Sequence, residues 1–203
     1  MPAPRTPNAR GQGGRLREEI TAAAARLLGE ATSRDAVTLR AIAREAGVSA
    51  PSIYLHFGHR DEILDAVVAD TFLLLERSCR DAAAGQSTGL DRIRAIGHAY
   101  VEFAGQHRSE YRILFERSSG DLAADPHIYP AGIRVFQLFS DAFEQLVAEG
   151  TSRSPDPVRD AQALWAALHG VVTLVPATPA FPWAPAADLV DLLMNSLGGA
   201  ARQ

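Results

Sequence analysis

The sequence predicts an all-α protein, a small N-terminal three-helix head followed by a larger helical body, about nine helices in total. Three observations carry this expectation. Apolar residues recur at spacings of three and four through almost every segment, Gly, Pro and Ser gather at the breaks between those segments, and no stretch alternates apolar and polar residues as a half-buried strand would.

Residues 1–14 are polar and broken by Pro and Gly, so they read as a flexible arm. Arg5, Arg10 and Arg15 could touch a nucleic-acid backbone or minor groove, or serve only a solubilising tail. Residues 15–28 form an amphipathic opening helix. A second helix follows, with Leu39, Ile42, Ala43 and Ala46 on one apolar stripe, Arg40 and Arg44 facing away, and Thr38 placed to cap it. Gly47 supplies the left-handed residue that ends this helix, Val48 can plug the corner, and Ser49 can cap a third helix whose first turn tolerates Pro51. Two short helices joined by a turn of about four residues have helix-turn-helix geometry, the layout that carries one helix into the DNA major groove. Ile53 and Phe57 lie four apart and face inward, which leaves Ala50, Pro51, Ser52, Tyr54 and His56 outside. Periodicity alone would equally fit an ordinary helical hairpin with a polar outer face.

The body continues in helices. Residues 60–84 carry Leu64, Val67, Val68, Thr71, Phe72 and Leu75 at helical spacing and form a long linking helix, broken at 85–89. Residues 90–106 resume with Ile93, Ile96, Gly97, Tyr100 and Phe103. Ser109 is the cap expected for a helix over 110–118, with Tyr111, Leu114 and Phe115 on one face, Ser119-Gly120 at its end and Asp125-Pro126 in the loop beyond. Residues 130–149 are apolar over more than one stripe, and 150–157 form a Ser- and Pro-rich link. Residues 158–175 are almost wholly apolar, Pro176, Pro179, Pro182 and Pro185 bound a rigid connector, and 186–197 form a last amphipathic helix.

These residues carry a family resemblance. The opening helix, the run Val37-Thr38-Leu39-Arg40-Ala41-Ile42-Ala43, then Ala46-Gly47-Val48-Ser49, and Ile53-Tyr54-Leu55-His56-Phe57 followed by Arg60-Asp61-Glu62-Ile63-Leu64 resemble the DNA-binding domain of TetR-type bacterial transcriptional regulators. The resemblance implies domains at 15–60 (helix-turn-helix, DNA-binding) and 61–203 (effector-binding and dimerisation). It places Thr38, Leu39 and Arg40 near the DNA backbone, Ser49, Ala50, Pro51, Ser52, Tyr54, Leu55 and His56 on or beside the recognition helix, and Arg60 as a phosphate clamp. Two departures stand out: Ala50 occupies a position where many members have a polar or basic reader, and Arg60 one where lysine is usual. Direct base readout is therefore expected to be sparse and backbone clamping retained.

Net charge is −4, which looks unsuited to a polyphosphate partner until position is considered. Residues 1–60 hold nine arginines against five acidic residues, a surplus of four, so the remainder carries −8. A basic head suffices, because exposed charges more than about 10 Å apart are largely screened at 0.1 M salt.

Enzyme chemistry finds no foothold. There is no Gly-rich phosphate loop, no His-Glu-x-x-His and no Ser-centred nucleophile elbow, and histidines 56, 59, 98, 107, 127 and 169 are scattered. Cys79 is the only cysteine, which rules out an intramolecular disulfide and a cysteine-cluster metal site and fits a reducing cytoplasm. Neither a run of about 18 apolar residues nor a signal-peptide core occurs, so no membrane partner is expected; with the histidines scattered and one cysteine, no metal or cofactor is expected either.

The last two helices are unusually apolar for a monomer, with Leu164, Leu168, Val171, Val172 and Leu174 on one and Leu189, Val190, Leu192, Leu193, Met194 and Leu197 on the other. Pairing 158–175 and 186–197 with a second copy would make a four-helix bundle and a homodimer able to read a palindromic DNA operator; alternatively both helices pack within their own subunit. The resemblance favours the dimer. Trp165, His169 and Gly170 also resemble the Trp-His-Gly signature of a C-terminal subgroup of the same family. Gly170 would admit a close helix contact, while Trp165 and His169 read either as pocket wall or as core.

For a small-molecule effector, apolar or aromatic in character, the candidate contacts are Phe72, Tyr100, Phe103, His107, Tyr111, Phe115, Phe139, Trp165 and His169. The expected action is repression by steric exclusion, with ligand binding moving the 60–84 helix and hence the spacing of the recognition helices. The alternative is a helical small-molecule-binding or scaffold protein whose head does not read DNA.

Overall fold

In the computed structural model, residues 13–31, 33–115 and 129–197 are described, and among them every regular element is helical. The elements are α1 (Gly13–Glu30), a 3-10 turn (Arg34–Ala36), α2 (Leu39–Ala46), α3 (Ala50–Ile53), α4 (Arg60–Ala83), α5 (Gly89–Gln106), α6 (Arg108–Phe115), α7 (Tyr129–Ala148), α8 (Pro157–Ala177) and α9 (Ala186–Leu197). The all-α class with nine helices is thus found among the described residues. No helix of these residues is long and apolar enough to cross a membrane.

The chain divides into two compact units, one formed from the described residues of 1–71 and 109–128, the other from those of 72–108 and 129–203, and α4 supplies residues to both. The core of the first unit is Ile20, Ala23, Ala24, Leu28, Val37, Ile42, Ile53, Phe57, Ile63, Leu64 and Val67, all buried. Each such large side chain contributes about 1.5–3 kcal/mol by leaving water. α6 joins this unit, where the Arg112 guanidinium donates to the carbonyls of Leu28 (3.1 Å) and Ala31 (2.7 Å), two orphan acceptors at the end of α1.

In the second unit α5 packs on α7, α8 and α9. Ile93, Ile96, Tyr100, Phe139, Phe143, Leu146, Leu164, Leu168, Val190 and Met194 are buried there. Glu76 is nearly buried and accepts from Arg134 Nε at 2.7 Å while also pairing with Arg80. Burial raises its pKa, but the hydrogen bonds from Arg134 and Arg80 outweigh it and hold the carboxyl below its ordinary 4.5. A carboxylate depressed in the folded state adds stability that is present above pH 4.5 and is lost as pH falls through the folded value. Glu76→Gln is therefore expected to lower stability by about 1–3 kcal/mol near neutrality and to make the remaining stability flatter with pH below 5, read by urea unfolding at a series of pH values.

Several boundaries differ from the sequence expectation. Ser109 is the second residue of α6 rather than its cap, because the chain leaves α5 through the single residue His107, whose amide closes on Phe103 O (2.8 Å). The Ser109 hydroxyl donates to Gly29 O instead, at 3.4 Å. Pro176 lies inside α8, at its last turn, and the helix closes two residues later where Thr178 N donates to Leu174 O (3.0 Å). Gly89 opens α5 instead of breaking the chain. A Cβ built at Gly170 meets no atom within 4 Å, so within this chain Gly170 permits no close helix contact. The expected end of the sixth helix beyond Phe115 and the Asp125-Pro126 loop lie outside the described residues.

Candidate nucleic-acid interface

The helix-turn-helix forms where local chemistry asks for it. Thr38 has extended backbone and its hydroxyl accepts from Ala41 N at 3.2 Å, which caps α2. At the other end Gly47 sits at φ 66°, its amide donating to Arg44 O (3.2 Å) and that of Val48 to Ala43 O (2.9 Å). This pair of bonds is a Schellman closure, which an L-residue at Gly47 would strain. Val48 is half-buried at the corner, Ser49 accepts from Ser52 N at 3.3 Å, and Pro51 occupies the first turn of α3, where no amide is needed.

The segment that follows Ser49 is shorter than a full helix. α3 ends at Ile53, and the amides of His56 (2.9 Å) and Phe57 (3.0 Å) both converge on the Ile53 carbonyl, which tightens the last residues into a turn. Ile53 and Phe57 are buried as expected. Between them Tyr54 is 60% exposed and Leu55 82% exposed, with His56 half-buried. Ala50 and Pro51 lie at the surface beside them, and the Ser52 hydroxyl shares a 2.7 Å hydrogen bond with Ser49. The fold therefore brings Ser49, Ala50, Pro51, Ser52, Tyr54, Leu55 and His56 onto one short segment that packing holds from inside. Two large apolar or aromatic side chains remain in solvent there.

The arginines are less free than their number implies. Arg15 pairs with Glu19 (3.1 Å), Arg26 with Glu45 (2.7 Å) and Arg34 with Asp65. Arg60 donates from Nε (3.0 Å) and an Nη (2.7 Å) to Asp61 and reaches Asp35 at 3.4 Å. The hydrogen bond to Asp61 raises the Arg60 pKa and, from the other side, lowers that of Asp61. Among the described residues no ion pair engages Arg40 or Arg44, which both stand exposed on the outer face of α2. Helical periodicity places both arginines there, whereas no motif position marks Arg44 as a DNA contact.

α4 begins with two capping hydrogen bonds. His59 Nδ1 accepts from Glu62 N (3.2 Å) while the Glu62 carboxylate accepts from Gly58 N (2.7 Å). The Arg60 side chain thus leaves a fixed helix start.

The effector candidates separate. In the second unit Tyr100 is fully buried, accepts from Trp165 Nε1 at 3.0 Å and meets Phe139 edge-on with centroids 6.0 Å apart. Phe103 stacks on His107 at 4.5 Å, Phe72 is buried, and His169 is half-buried, with burial pushing its imidazole pKa below the ordinary 6.5. Tyr111 and Phe115 belong to the first unit, where their rings lie 5.1 Å apart. A polar–aromatic cluster of Tyr100, Phe139 and Trp165 therefore exists, which the spacing of the aromatics along the chain does not reveal.

Comparison with known proteins adds independent evidence. Residues 20–67 match the bacterial regulatory proteins of the tetR family, and residues 93–197 match the tetracyclin repressor-like C-terminal domain. The chain is similar in structure to a protein of unknown function from Rhodococcus sp. RHA1, at 28% identity over 96% of this chain and 97% of that one, TM-score 0.79. It shares its fold with a TetR-like transcriptional regulator from the same organism, at 22% identity, 97% and 100% coverage and TM-score 0.70. A TetR family transcriptional regulator, PfmR, from Thermus thermophilus has the same fold at 17% identity, with 88% and 96% coverage and TM-score 0.67.

Proposed function

Because the chain belongs to the TetR family of bacterial regulatory proteins, it is a DNA-binding transcriptional regulator, and we propose that it acts as a ligand-responsive repressor that grips a palindromic operator as a homodimer. The observation that carries this reading is the capped α2–α3 pair, whose Tyr54 and Leu55 stay exposed while Ile53 and Phe57 beneath them are buried. An exposed aromatic beside an exposed leucine, on a segment fixed from below, suits contact with base edges and thymine methyls. Thr38, Leu39, Arg40 and Arg44 would hold phosphates, with 15–60 as the DNA-binding segment and 61–203 as the effector-binding and dimerisation segment.

Homodimerisation is supported by α8 and α9. Leu164, Leu168, Val190 and Met194 face inward, yet Val158, Leu174 and Leu192 are exposed, and the helix bearing Gly170 offers an open position for a second copy. Residues 158–175 and 186–197 would then form the two-fold interface. The small-molecule site is placed at the Tyr100, Phe139 and Trp165 cluster with His169, which favours an apolar or aromatic effector. The Trp-His-Gly subgroup is proposed from Trp165, His169 and Gly170 alone. Nothing in this mechanism requires catalysis, a cofactor or a metal, and the cytoplasm is its place of action.

Arg60 clamps phosphate only by sharing its guanidinium with Asp35 and Asp61 or leaving them. Asp35→Asn is therefore expected to strengthen duplex binding about two- to five-fold at low salt, an effect that fades as salt rises. Unchanged affinity in a fluorescence-anisotropy titration would place Arg60 away from the backbone.

The decisive test is selection of bound duplexes from a random pool, followed by a salt titration on the winner. An enriched inverted repeat, with half-sites about 34–36 Å apart and steep salt dependence, is expected. Enrichment of nothing, with weak binding to every duplex, would leave a helical ligand-binding or scaffold protein.

A further inference from the structure

We infer that Arg17, on α1 and 39 residues away in sequence from the segment it holds, is a positioning residue for DNA reading, acting through the turn that carries Tyr54, Leu55 and His56. The inference rests on the reading of that turn as the DNA-reading segment. α3 supplies only four helical residues, so Tyr54 to His56 cannot rely on a continued helical ladder to fix their direction. Ile53 and Phe57 anchor the two ends of the turn by burial, but a buried ring fixes a side chain better than it fixes the carbonyl before it.

Arg17 closes that gap with three contacts from one guanidinium. An Nη donates to the His56 carbonyl at 2.8 Å, the guanidinium carbon lies 4.0 Å from the centroid of the Phe57 ring, and the same Nη stands 3.8 Å from Glu62 Oε1. The guanidinium carbon lies over the ring while an Nη of the same group donates to the carbonyl, a combination that the single nitrogen of an ammonium reproduces poorly. Glu62 in turn accepts from Gly58 N, so Arg17 and Glu62 bracket the chain from His56 to Gly58. The outward direction of Tyr54 and Leu55 is thereby tied to α1, although Arg17 itself need not touch DNA.

The test compares wild type with Arg17→Met and Arg17→Lys, each as the full chain and each checked for an intact fold by thermal unfolding. Amide exchange in the absence of DNA should show protection at residues 56–58 reduced about ten-fold in Arg17→Met, the loss of one hydrogen bond to a charged group. Affinity for the selected operator should fall by about the same factor, discrimination against single-base mismatches should shrink, and the salt slope should stay as in wild type. Arg17→Lys should fall between the two, and it carries the test if Arg17→Met does not fold.

A uniform loss across sequences with a salt slope shallower by about 0.9 would make Arg17 a phosphate contact and overturn the inference. Unchanged exchange at 56–58 would overturn it as well. Failure of the underlying DNA reading is distinguishable, since the unsubstituted protein would then select no duplex at all.

Discussion

Replacing Tyr54 and His56 together by alanine is expected to weaken operator binding about a hundred-fold while leaving the melting temperature within a few degrees of wild type. The separation of the two effects follows from position. Tyr54 is 60% exposed and His56 half-buried, so truncating them removes little packing, whereas the anchors Ile53 and Phe57 remain in place beneath. Each good contact to a base edge discriminates by about 1–3 kcal/mol, so two lost contacts of about 1.4 kcal/mol each correspond to the predicted factor. Residual binding should be the sequence-independent kind, with arginines such as Arg40 and Arg44 still able to meet phosphates, and should keep most of its salt dependence. Measured by anisotropy against the selected operator and a scrambled duplex, the variant should bind both alike. Full discrimination retained by the variant would move the reading surface away from this segment.

Gly89→Ala is expected to destabilise the protein by about 3 kcal/mol, the upper end of the range for overpacking, and to lower its melting temperature by roughly 10 °C. Gly89 begins α5 directly beneath α7. A Cβ there would lie 2.8 Å from the Leu146 backbone nitrogen and 3.1 Å from the Ala142 carbonyl oxygen. Both are main-chain atoms of a helix, which no rotamer change can move aside. The amide of Gly89 also donates to both oxygens of the Glu149 carboxylate (3.1 and 3.0 Å), so shifting α5 outward would cost those bonds as well. Gly97 offers the contrast. Its added methyl would meet the terminal methyl of Met194 at 2.4 Å, the far end of a flexible side chain that can turn away, so Gly97→Ala should cost much less. Equal losses for the two variants, by chemical denaturation, would mean that α5 and α7 can separate freely.

Much of the head was legible in the chain because its determinants are local. Thr38, Gly47, Ser49 and Pro51 each act on backbone within a few residues of themselves, and the stripe of Leu39, Ile42 and Ala43 needs only the 3.6-residue period to declare a buried face. The same locality made the helical class and the breaks near residues 85 and 150 visible, where Gly85 (φ 81°) and Gly150 (φ 72°) take left-handed backbone. Expectations failed where two meanings share one residue type. Ser109 has the chemistry of a cap, but the helix started one residue before it, and Gly89 resembled a chain breaker although its small size serves a crossing with α7.

By itself, then, the sequence determined the all-α class, the capped helix-turn-helix and the exposed side chains that follow Ile53, since caps, turns and periodicity are written within a turn or two of the chain. Only the tertiary structure decided which partners distant residues meet: Arg17 at the His56 carbonyl, Arg60 held by Asp61 and Asp35, Trp165 donating to Tyr100, and Gly89 against α7. The physical reason is that a guanidinium or a Cα carries no local mark of its neighbour. The pairing is set by how helices far apart in sequence come to share a core, where burial fixes the geometry and hydrogen bonds then select among the side chains brought within reach.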